Sequence, residues 1–167
     1  GIVVDDRTMQ TNVPHIYAIG DINGKMMLAH AATFQGIVAL DHIMGIENNI
    51  DLSVMPAAVF TTPEAASVGM TEDECKEAGR SVKCLKSFFR ANGKAVTMAQ
   101  TDGFCKLVVD AETGEILGCH LFGPHASDIV QEVCALISRK ATIEQFKDII
   151  HTHPTLTEVL QSAAHNG

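Results

Sequence analysis

Apolar residues recur in short runs through the middle of the chain and take up helical spacing near both its beginning and its end. AAVFTT (57–62) and SVGM (67–70) read as strands. TEDECKEAG (71–79) follows with a Thr-x-x-Glu capping box, Thr71 and Glu74, and a Gly79 stop, which predicts a short helix. VKCLKSFFR and KAVTMAQ read as two further strands, and GFCKLVVD and EILGCHLFG as a hairpin turning through AETG at Gly114. In SDIVQEVCALISRK, Ile129, Val133, Leu136 and Ile137 share one face of an amphipathic helix. A second capping box, Thr142 and Gln145, opens another helix running to Ile150. Strands come first and helices last, which predicts an α+β arrangement and not a doubly wound sheet.

The first fifty residues have a different character. GIVVDD and IYAIGD are short apolar runs closing in a carboxylate, the second entered through Pro14 and turned by Gly20. From Met27 a helix is predicted, with Leu28, Ala32, Gln35, Gly36, Ala39, Leu40 and Ile43 near one face and Gly45 at its end. Two strands and one helix do not bury a core, so residues 1–50 are expected to be the tail of a larger α/β domain. Polar, interrupted NNIDLSVMP (48–56) marks the boundary, and residues 51–167 form a second domain.

Composition narrows the function. Hydrophobic residues at 46% and charged residues at 19% describe a chain that folds around a core. A net charge of −8, with no basic run and no Trp, excludes nucleic acid and anionic membranes as expected partners. Cys75, Cys84, Cys105, Cys119 and Cys134 are odd in number and widely spaced, so they read as buried free thiols in a reducing compartment. No signal peptide and no membrane-length apolar run are present, and a cytoplasmic protein is expected. His15, His42, His120, His125 and His165 do not pair at metal-ligand spacing, and no metal site is expected.

Two segments carry candidate chemistry. In TNVPHIYAIGD, Gly20 permits a sharp turn at the carboxyl end of a strand, where open α/β sheets bind ligands. Asp21 presents a carboxylate there, and the first-turn N–H groups of the helix opening at Met27–His30 suit a negatively charged or electron-rich ligand edge; as residue types alone, the same Gly-Asp also serves as an ordinary turn. In HTHPTLTE (151–158), Thr155 and Glu158 form a potential capping box behind Pro154, where an X-Pro bond admits the cis form as a way to stiffen the backbone. The same residues suit acid–base work: a histidine titrates near ~6.5 and needs a carboxylate to orient it.

The motif T-x-V-P-x-I-Y-A-I-G-D with M-L-A-H-A resembles the second FAD-binding motif of the flavoprotein disulfide reductases (pyridine nucleotide-disulfide oxidoreductases, class I). PAAVFTTPEAASVGMTE, F-x-x-N-G-K-A (89–95), GFCKLVVDAETGEILGCHLFGP and HTHPTLTE resemble, in order, the interface domain of the same family. The resemblance implies FAD contacts for Asp21 and for Met27, Leu28, Ala29 and His30. It also implies an acid–base role for His153, with Glu158 as its orienting partner, and leaves His151 a supporting or packing role. An interface domain with a mixed or antiparallel sheet and flanking helices, behind the tail of an α/β FAD-binding domain, follows from it.

The implied activity is oxidation of a dithiol through a redox cysteine pair and FAD, with NAD⁺ as hydride acceptor. The implied assembly is a homodimer through residues 51–167, in which His153 serves the opposite subunit, and the implied setting is an α-keto-acid dehydrogenase or glycine cleavage complex. HPTLTE and FTTPEAASVGMTE look most like the branch that oxidises dihydrolipoamide. A glutathione-reductase-like or soluble-transhydrogenase-like member, or a stand-alone dimerisation module, is the alternative. Neither GxGxxG nor a CxxxxC cysteine pair occurs, and no nicotinamide domain is recognisable. The chain is accordingly expected to be the carboxyl-terminal part of such an enzyme, inactive alone and unable to retain FAD.

Overall fold

A computed structural model describes residues 1–166. It divides into two compact units, Gly1–Met55 and Pro56–Gly167.

In the first unit the two predicted strands do not form. A strand is stable only when its backbone groups meet a neighbour's. Here the extended runs share one isolated bridge, Gln10 with Tyr17, and scattered bonds such as Ala18 N–H to the Met9 carbonyl at 3.1 Å. Gly20–Asn23 instead coils into a 3₁₀ turn, closed by Gly24 in the left-handed conformation. Helix α1, Ala29–Met44, ends where the Gly45 N–H reaches back to the carbonyls of Asp41 and His42. Its buried face is Ala31, Gln35, Val38 and Ala39, whereas Leu40 and Ile43 are each 59% exposed. The helix is apolar on more than one side, so spacing alone does not select the packed face. Val38 and Ala39 pack with Val4, Met9 and Ala18.

The second unit is an α+β fold built on one sheet. Strands β1 (Ala57–Val59), β2 (Glu64–Gly69), β3 (Val82–Phe88), β4 (Phe104–Asp110) and β5 (Ile116–Gly123) lie in the order β1-β2-β5-β4-β3, and every pairing is antiparallel. Alternation along β4 and β5 turns Cys105, Leu107, Cys119 and Leu121 into the core. Helix α4 (Ala126–Ser138) covers β2 and β5, and α6 (Glu158–His165) covers β3 and β4. The short helix α2 (Glu72–Glu77) packs Cys75 on Val108 and Leu117. The face of α4 that is fully buried is Ala126, Ile129, Val130 and Val133; Leu136 and Ile137 lie half-buried beside it.

Both capping boxes form as predicted, at Thr71–Glu74 and at Thr142–Gln145, the latter opening α5 (Ile143–Lys147), which stops short of Ile150. KAVTMAQ is not a strand. Residues Gly93–Thr97 form helix α3, because the Asn92 side chain accepts from the Ala95 N–H at 2.9 Å and starts a turn that the β-branched residues do not oppose. Across the sheet face opposite α4 and α6, registered positions place Val59, Ala65, Phe122, Phe104 and Phe88 in one continuous row.

Candidate functional site

The segment between α5 and α6 that carries His153 is tied down just beyond that residue by two side-chain anchors. The Ser87 hydroxyl, buried on β3, donates to the Val159 carbonyl at 2.6 Å and ties down the start of α6. Asn92, also buried, donates through Nδ2 to the Thr155 carbonyl at 3.0 Å while its Oδ1 caps α3. One side chain thus couples the 89–95 loop to the His-Pro-Thr segment. The bond between His153 and Pro154 is cis.

On this support His153 and Glu158 meet. His153 Nδ1 lies 2.8 Å from Glu158 Oε1, and the other carboxylate oxygen, Oε2, accepts the Thr155 N–H at 2.8 Å. The two uses foreseen for this carboxylate therefore coexist, one per oxygen. The predicted Thr155 cap does not form. Helix α6 begins only at Glu158, and the Thr155 hydroxyl donates instead to the Thr152 carbonyl and meets the Thr157 hydroxyl. The three-residue stagger of a capping box survives only as its carboxylate half, because the residues after Pro154 are not yet helical. The Thr155 amide first, and then the bond from His153, hold the Glu158 carboxyl below its ordinary range. An ionised Glu158 only accepts, so Nδ1 carries the ring proton and a neutral His153 presents its lone pair at Nε2. The His153 side chain is 77% exposed, which leaves that nitrogen open to approach.

In the first unit, Gly20 at φ 71° turns the chain so that Asp21 stands exposed on the 3₁₀ turn. Gln35, 3% exposed on α1, fixes this corner: its Oε1 accepts the Gly20 N–H at 2.7 Å and the Asn23 Nδ2 at 2.9 Å. Met27, Ala29 and His30 are exposed and Leu28 half-buried, at the start of α1. Leu28 precedes the helix without a side-chain cap. An exposed carboxylate beside uncapped helix amides is a donor and acceptor set that fits the hydroxyls and electron-rich ring edge of a flavin. Among the described residues there is no group of three or more His, Cys, Asp or Glu placed to hold a metal. No helix among them is long and apolar enough to cross a membrane.

Gln35, Asn92 and Glu132 were not singled out from sequence. Asn92 had a usable signal, an N-cap residue type ahead of Gly-Lys-Ala, and Gln35 was the one polar side chain on an otherwise apolar helix stripe. Nothing local to Glu132 pointed to its partner nineteen residues on, His151, whose Nε2 lies 3.1 Å from Glu132 Oε1.

A sheet of this order, backed by two helices and carrying a carboxylate-held histidine in its final loop, defines a class, and the chain belongs to it: the pyridine nucleotide-disulphide oxidoreductases. Residues 55–164 match the dimerisation domain of that family, and residues 1–36 match its pyridine nucleotide-disulphide oxidoreductase domain. Similar curated proteins include the dihydrolipoyl dehydrogenases of Chlamydia muridarum (46% identical over 98% of this chain and 35% of the relative) and Corynebacterium glutamicum (46% identical over 99% and 36%). The solved structure of LpdA from Mycobacterium tuberculosis superposes with a TM-score of 0.89 at 28% identity, over 98% of this chain and 36% of that one. The HOCl-induced flavoprotein disulfide reductase RclA from Escherichia coli does so at 0.82 and 26%, over 98% and 37%. The chain thus spans about a third of the length of the curated relatives it matches.

Proposed function

We propose that the chain supplies the acid–base pair and part of the FAD site of a flavoprotein that oxidises dihydrolipoamide with NAD⁺. In this reading residues 1–50 are the end of the FAD-binding domain, and residues 51–167 are the interface domain of a homodimer. The observation that carries it is the His153–Glu158 contact at 2.8 Å, with the second carboxylate oxygen occupied by the Thr155 amide. A carboxylate fixed at both oxygens cannot swing away, so it sets the tautomer and the plane of the ring.

His153 Nε2 takes the proton from a dihydrolipoamide thiol, leaving a thiolate, and the charge that appears on the ring is balanced by Glu158. Loss of that proton from Nε2 to solvent restores the neutral base, as the net release of one proton in dithiol oxidation by NAD⁺ requires. The chemistry supplied by bound FAD is the passage of two electrons from thiols to NAD⁺. Asp21 would hold the ribityl hydroxyls of FAD as a hydrogen-bond acceptor, and the Met27–His30 turn would supply backbone amides to the flavin. His153 serves the flavin site of the opposite subunit, and the protein works in the cytoplasm within an α-keto-acid dehydrogenase or glycine cleavage complex.

Turnover of the full-length flavoprotein carrying His153→Gln tests this. A fall of about two to four orders of magnitude is expected from the loss of a positioned base, with FAD still bound. Near-normal dihydrolipoamide turnover would sink the reading.

A further inference from the structure

His151 differs from its neighbour in every respect that bears on proton chemistry. Its side chain is 4% exposed, against 77% for His153 two residues later. The Nδ1 atom lies 3.0 Å from the Ile149 carbonyl oxygen, and Nε2 lies 3.1 Å from Oε1 of Glu132 on α4. The ring meets Phe146 of α5 edge to face, with centroids 5.4 Å apart.

Both polar partners of this buried ring are acceptors. A carbonyl has no proton to give, and neither has an ionised carboxylate. A neutral imidazole has one N–H, so it satisfies one partner and turns a lone pair toward the other oxygen, which is costly where water is excluded. A ring with a proton on each nitrogen satisfies both, and its charge is matched by Glu132.

We propose that His151 is a positioning residue for His153: as an imidazolium held between Glu132 and the Ile149 carbonyl, it fixes the backbone that delivers the acid–base ring. The proposal rests on the reading of His153 as the acid–base group. The titratable groups facing the His151 ring are Glu132 from α4 and, at longer range, Glu158 from α6. The Glu158 carboxyl, held low mainly by the Thr155 amide and by His153, is also lowered by the positive charge of His151. The two histidines divide the work: one keeps its protons and holds the loop, and the other exchanges a proton.

Glu132→Gln keeps the volume and an acceptor oxygen but removes the charge that holds the second ring proton. In the FAD-loaded full-length protein, kcat is expected to fall about ten- to a hundredfold at nearly unchanged KM, the scale of a small misplacement of a reacting group. Glu132→Asp, which keeps the charge, should recover part of the loss. Nitrogen-15 spectra of labelled histidine should show both His151 nitrogens protonated at neutral pH in the parent protein and only one in Glu132→Gln.

A singly protonated His151 in the parent overturns the proposal, and that measurement needs no variant to fold. A Glu132→Gln protein with unchanged kcat and only a lower melting temperature also overturns it, reducing His151 to a packing residue. Either result leaves the acid–base reading intact if His153→Gln is still inactive. Turnover surviving His153→Gln would instead remove the reading on which the proposal rests.

Discussion

Glu158 shares one carboxylate between two donors, and this makes position 158 unusually restrictive. Glutamine offers one acceptor oxygen and one NH₂ group, so it would serve His153 and confront the Thr155 N–H, or the reverse. Glu158→Gln in the full-length flavoprotein is therefore expected to lower kcat about a hundredfold or more, measured at saturating dihydrolipoamide. The same carboxyl links stability to acidity. Its folded-state value lies below 4.5, so its contribution is complete above that pH and is lost as the pH falls through the lower, folded value. Melting temperatures followed down from neutral pH should show this loss in the parent, and Glu158→Gln should lack that component. At this scale the residue types of HTHPTLTE left a helix cap and an acid–base pair both open, and the resemblance singled out His153 and Glu158, whose side chains do meet at 2.8 Å. The Thr155 cap could not be rejected, because only the path of the backbone after Pro154 decides where α6 begins.

Among the elements, two of the three Thr-x-x-Glu/Gln boxes and the β4–β5 hairpin were legible because turn and cap chemistry act within a few residues. Asp110 shows why that hairpin holds. It accepts from the Glu112 and Thr113 amides and from Arg80 Nη2, each at 3.0 Å. The Thr113 amide, then Arg80, pull its carboxyl down to about 2. This support is present above the unfolded value near 3.8 and is lost between there and about 2. Asp110→Asn should lower the melting temperature at neutral pH, and the gap to the parent should close as the pH is taken down to about 2.

The strand-like pattern of KAVTMAQ misled because a local signal outweighed it, the Asn92 cap three residues ahead of Ala95, whereas the packed face of α1 depended on which neighbours were near. Asn92→Ala removes the α3 cap and the bond to the Thr155 carbonyl together. A loss of about 1–2 kcal/mol in denaturant unfolding is expected from the cap, with a fall in kcat because the loop that carries His153 loses an anchor.

For the whole molecule, the residues between the two compact units are the expected site of first cleavage. Limited proteolysis should cut within residues 46–56 and leave a resistant product beginning near Pro56; a first cut inside the sheet would contradict this. A family match to a dimerisation domain leads to the expectation that the chain sediments and scatters light as a dimer, at twice the 17.9 kDa of one copy. The α+β class was legible from the order of elements, but the order of strands was not, since register between distant strands leaves no local mark. That order bears on how the protein is made. The β1–β2 hairpin leaves the ribosome first, yet β2 pairs on its other side with β5, whose last residues emerge more than fifty positions later. At about 5–20 residues per second, that edge stays bare for several seconds of synthesis. During that interval the nascent hairpin is a site for chaperones or for strand addition by a neighbouring nascent chain.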